Sequence, residues 1–284
     1  MLLFVDNLTN VDFSYLDASR GLLGETWLAN IRLHGDLDDQ SMVCDFGVVK
    51  KIVRDWLDTE LDHRLAVPTQ APNIEITSNG DQLDIRWTLD NGEHIHTTSP
   101  RQAIALVEAA TLTPETIARW CEQQLKSAFR DEIEKLELSF STEQIEGAFY
   151  HYSHGLKKHG GNCQRIAHGH RSRIDIWADG VKSTSLESLW AERWRDIYIG
   201  SREDISAEPT INDTDYFDFA YTSEQGAFTL QLPKRCCYII DTDTTVECLA
   251  EHIAATTAAD NPSVELRIRA FEGINKGAEA YRGQ

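Results

Sequence analysis

Two stretches of this chain, each about 140 residues long, run through the same order of elements, and any fold must accommodate that repetition. In the first, an opening strand around Met1–Phe13 leads to Trp27–Leu33, where apolar and polar residues alternate. Phe46, Val49, Ile52, Val53, Trp56 and Leu57 then recur at helical spacing behind Asp45, a candidate N-cap. Alternating runs at Ile74–Thr77 and Leu83–Leu89 join through Ser78-Asn79-Gly80-Asp81, a hairpin signal. Thr113-Pro114-Glu115 opens a second helix that runs to about Leu125, and Lys135–Phe140 closes the block. The second block repeats the order. It has strands at Ala148–Ser153 and Arg173–Trp177, a helix-like Leu186–Trp194, and a strand pair at Tyr216–Tyr221 and Ala227–Leu232. A helix over Thr244–Ala255 and a strand at Val264–Phe271 follow. The pattern reads as a tandem duplication with one domain at 1–143 and a second at 144–284.

Charge and composition narrow the partners. Forty-six acids against twenty-seven bases leave a net charge of −19, which disfavours nucleic acid and anionic membranes because both need clustered Lys and Arg. No apolar run is long enough to span a bilayer. The opening MLLFVDNLTN has no basic segment and meets Asp6 early, so a cytoplasmic location is expected. The cysteines form no C-x-x-C pair and no disulfide framework. One segment departs from the acidic trend. Between His151 and Asp175 there is no acid, while Lys157, Lys158, Arg165, Arg171 and Arg173 are all present, as a pocket for an anionic small molecule would require.

That same segment holds His154, Cys163, His168 and His170. Histidines at i and i+2 on a strand point to one face, so His168 and His170 can converge on one ion. His154 from a neighbouring strand would complete a three-histidine zinc site and leave the fourth position open for water or substrate.

The arrangement resembles the 6-pyruvoyltetrahydropterin synthase / 6-carboxytetrahydropterin synthase family, whose members carry an F-x-x-x-H strand and then a Cys shortly before H-G-H. By that resemblance His154, His168 and His170 bind Zn2+, Tyr150 replaces the aromatic, and Cys163 is the catalytic cysteine. Glu272, after Arg267-Ile268-Arg269-Ala270-Phe271, matches the acid that anchors the pterin. Thr244-Thr245-Val246-Glu247 matches a helix opening whose hydroxyls lie near the pterin. In the first half, Met42-Val43-Cys44-Asp45-Phe46-Gly47 and Lys50 resemble the start of the family's first helix. Leu61-Asp62-His63-Arg64 resembles L-D-H-x-x-L, whose Asp and His assist the cysteine.

The departures are complementary. Where the first half should carry H-G-H it reads Leu22-Leu23-Gly24-Glu25-Thr26-Trp27, it offers Tyr15-Leu16-Asp17 near the expected first histidine, and it ends in Ser141-Thr142 instead of an acid. The second half has no L-D-H. The resemblance therefore implies an α+β chain of two tandem T-fold domains, antiparallel sheets with helices on one face, paired edge to edge and closed by homo-oligomerisation. It also implies a single site with catalytic Cys163, Asp62 and His63, substrate contacts from Glu272, Thr244, Thr245 and Arg165, and Zn2+ on the three histidines. The implied lyase reaction converts 7,8-dihydroneopterin triphosphate to 6-carboxy-5,6,7,8-tetrahydropterin, an early intermediate for queuosine, with loss of acetaldehyde and triphosphate. The pyruvoyl product and a non-catalytic pterin- or purine-binding role stay open.

Overall fold

A computed structural model describes residues 1–129 and 133–283. The first round of elements is β1 (Leu2–Asp17), β2 (Gly21–Gly35), α1 (Phe46–Glu60), β3 (Leu65–Pro68), β4 (Ile74–Asn79), β5 (Gln82–Thr88), β6 (His94–Pro100), β7 (Ile104–Val107), α2 (Pro114–Leu125) and β8 (Ile133–Thr142). The second opens with β9 (Phe149–His154), β10 (His168–Ala178), β11 (Val181–Lys182), α3 (Thr184–Arg193) and β12 (Ile197–Ser201). It continues with β13 (Ile205–Ala207), β14 (Thr210–Ile211), β15 (Thr214–Ser223), β16 (Gly226–Pro233), β17 (Cys237–Ile240), α4 (Val246–Asp260), β18 (Leu266–Phe271) and β19 (Gly277–Arg282).

Local chemistry explains the helices. The Asp45 side chain accepts from the N–H groups of Gly47 and Val48 and starts α1, whose Val49, Val53 and Leu57 are fully buried. Thr113 and Thr116 cap each other reciprocally at the start of α2, with Pro114 at its first position. Thr245 accepts from Cys248 N–H and starts α4.

The halves are related strand by strand. One sheet runs β7-β3-β1-β2-β8 and another β17-β12-β9-β10-β18-β19. Ser14 stands opposite Gly24 and Leu65 in the first, as Ser153 stands opposite Gly169 and Tyr198 in the second. The chain is thus an α+β pair of tandem T-fold domains, each with helices packed on its sheet. The two sheets do not pair edge to edge, as the family resemblance implied. They cross face to face where Gly24 meets Gly169, and a Cβ on Gly24 would lie 1.8 Å from the Tyr152 carbonyl oxygen. The Ser14 and Ser153 hydroxyls meet at 2.7 Å beside this crossing, on a pseudo-two-fold axis. Edge pairing between halves occurs instead in a third sheet, β13-β15-β16-β6-β5-β4, where β6 and β16 join the inserted hairpins of the two rounds. No described helix is long and apolar enough to cross a membrane.

Candidate metal and catalytic site

His154 ends β9 directly opposite His168, which opens β10, and His170 follows on the same face. All three are fully buried. Nδ1 of His154 lies 3.0 Å from the Thr244 carbonyl and 3.1 Å from its hydroxyl, and Nδ1 of His168 lies 3.0 Å from the Arg165 carbonyl, while Nδ1 of His170 stands 3.3 Å from Asp12 Oδ1, at ion-pair distance but without hydrogen-bond geometry. The Nε2 atoms therefore face inward. Those of His154 and His170 lie 3.3 Å apart, and Nε2 of His168 is buried without a hydrogen-bond partner. One ligand atom from each of the three falls within 4.8 Å of the others, a donor set that fits Zn2+. Burial pushes His154 down to about 3 and His168 well below its ordinary value, so both keep a free lone pair at neutral pH. Burial acts in the same direction on His170, but Asp12 and Glu272 beside it turn the net shift upward.

The first half reaches this cluster through the turn between α1 and β3. His63 takes φ +55 there, and its N–H donates to the Asp12 carbonyl at 2.6 Å. Asp62 accepts from Asp12 N–H at 2.7 Å, and its other oxygen bonds His63 Nδ1. The ring of His63 sits 5.1 Å from that of His168. Cys163, on the loop between β9 and β10, places its sulfur within 4.8 Å of the ligand nitrogens of His63 and His168. Burial alone would lower the pKa of His63, but Asp62 and Cys163 overcome it and raise it to about 10. A cationic imidazole, oriented from behind by a carboxylate, thus faces a thiol beside three inward-turned histidines.

A family profile described as 6-pyruvoyl tetrahydropterin synthase matches residues 14–151. Over that stretch, just under half of its length, this chain resembles that family. A Methanocaldococcus jannaschii protein, provisionally named 6-carboxy-5,6,7,8-tetrahydropterin synthase, is 25% identical over 132 residues, 45% of this chain and 77% of that one. One of the same name from Pyrococcus horikoshii is 23% identical over 128 residues, 45% of this chain and 73% of its own. Among solved structures, the 6-pyruvoyl tetrahydropterin synthase of Plasmodium vivax is similar with a TM-score of 0.41 and 20% identity, over 51% of this chain and 93% of that one. This chain is considerably longer than these relatives. The matched stretch contains Asp62 and His63 and stops just short of His154.

Other residues singled out by the resemblance take varied places in this chain. Glu272 borders the triad, with Oε1 3.4 Å from His170 Nε2. Burial would raise its carboxyl, but His170 and His154 hold it down at about 2. Thr244 lies behind His154, and the Thr245 hydroxyl accepts from Cys248 N–H in the α4 cap. Arg165 is buried; its Nε donates to Gln225 at 3.0 Å and its Nη1 lies 3.4 Å from the Asp62 and His63 carbonyls, where it braces their turn.

Among the described residues, the other cations of the basic stretch are taken up by acids and aromatic rings rather than gathered in one pocket. Lys157 pairs with Asp204 at 2.6 Å, Lys158 with Asp243 at 3.0 Å, Arg171 stacks on Phe149, and Arg173 stacks on Phe271. Lys276 also reaches the site, 2.9 Å from Asp12 Oδ2. Asp12 and Lys276 escaped the sequence reading because neither sits in a motif. The one available signal for Asp12 was an acid within the apolar opening strand.

Proposed function

We propose that the chain is a zinc-dependent lyase that converts 7,8-dihydroneopterin triphosphate and one water to 6-carboxy-5,6,7,8-tetrahydropterin, with loss of acetaldehyde and triphosphate, in one site assembled from both halves. The observation that carries the reading is the meeting of Cys163 and three inward-facing histidines from the second half with Asp62-His63 from the first. Zinc, when bound, supplies a Lewis acid that polarises the oxygens of the substrate side chain. Asp62 fixes the ring of His63, which holds a proton beside the Cys163 sulfur. Cys163 removes and returns protons along the substrate side chain as triphosphate leaves. Glu272, kept ionised, accepts the paired N–H groups of the pterin edge.

We read the protein as a cytoplasmic homo-oligomer. The acidic surface and the open edges of β8 and β19, each hydrogen-bonded to one neighbour among the described strands, support this.

The deciding experiment is product analysis by mass spectrometry. Zinc-loaded protein is mixed with 7,8-dihydroneopterin triphosphate, beside Cys163→Ala and His63→Ala variants. The expected result is 6-carboxytetrahydropterin with acetaldehyde from the wild type and neither from the variants. A pyruvoyl product would move the chain to the other branch of the family. Tight pterin binding without turnover would make it a binding protein and sink the lyase reading.

A further inference from the structure

We infer that Asp12, a residue of the half without metal ligands, is the positioning carboxylate behind His170, and that it ties the histidine triad to the Asp62-His63 pair. This rests on the zinc site proposed above.

Two of the three histidines are oriented from their own half, by the Thr244 and Arg165 carbonyls. The third is not. Its Nδ1 faces a carboxylate that arrives on β1 from across the pseudo-dyad. Asp12 is 1% exposed, so a lone carboxylate there would be costly, yet it is surrounded by partners. The Thr26 hydroxyl donates to Oδ1 at 2.6 Å, the Lys276 ammonium donates to Oδ2 at 2.9 Å, and Oδ1 lies 3.3 Å from His170 Nδ1. Gly273, at φ +69, closes the remaining side, and a Cβ there would lie 2.5 Å from Asp12 Oδ1.

The backbone of the same residue holds the proton-transfer pair. Its N–H donates to Asp62, and its carbonyl accepts from His63 N–H. One residue therefore touches a metal ligand with its side chain and the Asp-His turn with its main chain. A carboxylate in this place keeps the proton on Nδ1, leaves the Nε2 lone pair for the ion, and makes the ring a stronger donor than a carbonyl would. The equivalent position in the second half is His151, so the arrangement is built on one side of the dyad only.

The test is made on the full chain with Asp12→Asn, which keeps the side-chain shape and both main-chain bonds while removing the charge. Zinc affinity is measured by competition with a chromophoric chelator, and the visible absorption of the Co2+-loaded protein is recorded. The expected result is a fall in affinity of about 10- to 100-fold with a displaced cobalt spectrum and unchanged far-UV circular dichroism. Unchanged affinity together with an unchanged spectrum would overturn the inference. If the Asn variant does not fold, Thr26→Val, which removes only the hydroxyl that orients Asp12, carries the same two readouts. It should move both in the same direction by less, and no movement overturns the inference. A wild type that binds no zinc instead sinks the metal-site reading itself, which separates the two failures.

Discussion

The histidine cluster and its pseudo-symmetry mate share a backbone and differ in nearly every side chain. His154, His168 and His170 on β9 and β10 correspond to Tyr15, Leu23 and Glu25 on β1 and β2. Asp12 corresponds to His151, and His63, at φ +55, to Asp196, at φ +53. Glu272 corresponds to Thr142. The mate is sealed. Arg20 donates to Asp196 with Nε at 2.8 Å and Nη2 at 2.5 Å, across the place where the other side carries His63. Behind it Glu25 and His151 lie 3.6 Å apart. Burial raises Glu25 to about 7 and pushes His151 down to about 4, so near pH 6 the pair is largely uncharged. The comparison teaches that the main-chain frame, including a left-handed residue that costs energy, has persisted on both sides. The histidine cluster stands on one side, and a salt bridge takes the corresponding place on the other.

The largest effect should separate the two sides by metal. His168→Ala is expected to abolish stoichiometric zinc binding and lower turnover by on the order of 10³-fold, several kcal/mol of transition-state stabilisation. Glu25→Gln, at the mate of His170, should leave both near wild type. Equal losses by elemental analysis and kinetics would break the distinction between the sides.

Next in size is the crossing itself. Gly24→Ala forces a methyl against the Tyr152 carbonyl and the His170 N–H, where a Cβ would stand 1.8 and 2.6 Å away. Unfolding free energy should drop by about 3 kcal/mol or more, together with zinc affinity. A stable variant with full metal content would show that the halves need not be pressed together for the site to form.

Glu25 sharpens the comparison through pH. Its folded pKa is raised from 4.5 to about 7, so the folded state holds the proton more tightly than the unfolded one. The stability contributed by this group is present at acid pH and lost as pH rises from about 4.5 to about 7, on the order of 3 kcal/mol in all. Glu25→Gln should lack that loss and exceed the wild type above pH 7 in denaturant titrations. Parallel pH profiles for the two proteins would mean that Glu25 titrates normally.

The smallest effect belongs to the seal. Arg20 is partly exposed, so Arg20→Ala should cost no more than about 1 kcal/mol and leave zinc content unchanged. Acquisition of a second zinc equivalent by this variant would show that the mate is closed by the salt bridge alone.

The sequence by itself determined the repeated order of elements, the helix starts at Asp45 and Thr113, and the hairpin at Ser78–Asp81. Those features rest on caps, turns and periodicity within a few residues, and such signals are local. The histidines were legible because strand alternation puts His168 and His170 on one face whatever the surroundings. Tertiary structure alone decided the rest. The strands β3, β7, β12 and β17 are short, and their parallel pairing joins segments distant in sequence, so no local pattern announces it. The face-to-face crossing at Gly24 and Gly169 depends on the absence of two side chains, which reads in a sequence as ordinary glycine. Arg165 and the neighbouring cations form a basic run in one dimension, but folding brings acids, aromatic rings, carbonyls and Gln225 against them. Asp12 and Lys276 lie 264 positions apart and meet beside His170 only because the loop between β18 and β19 reaches β1.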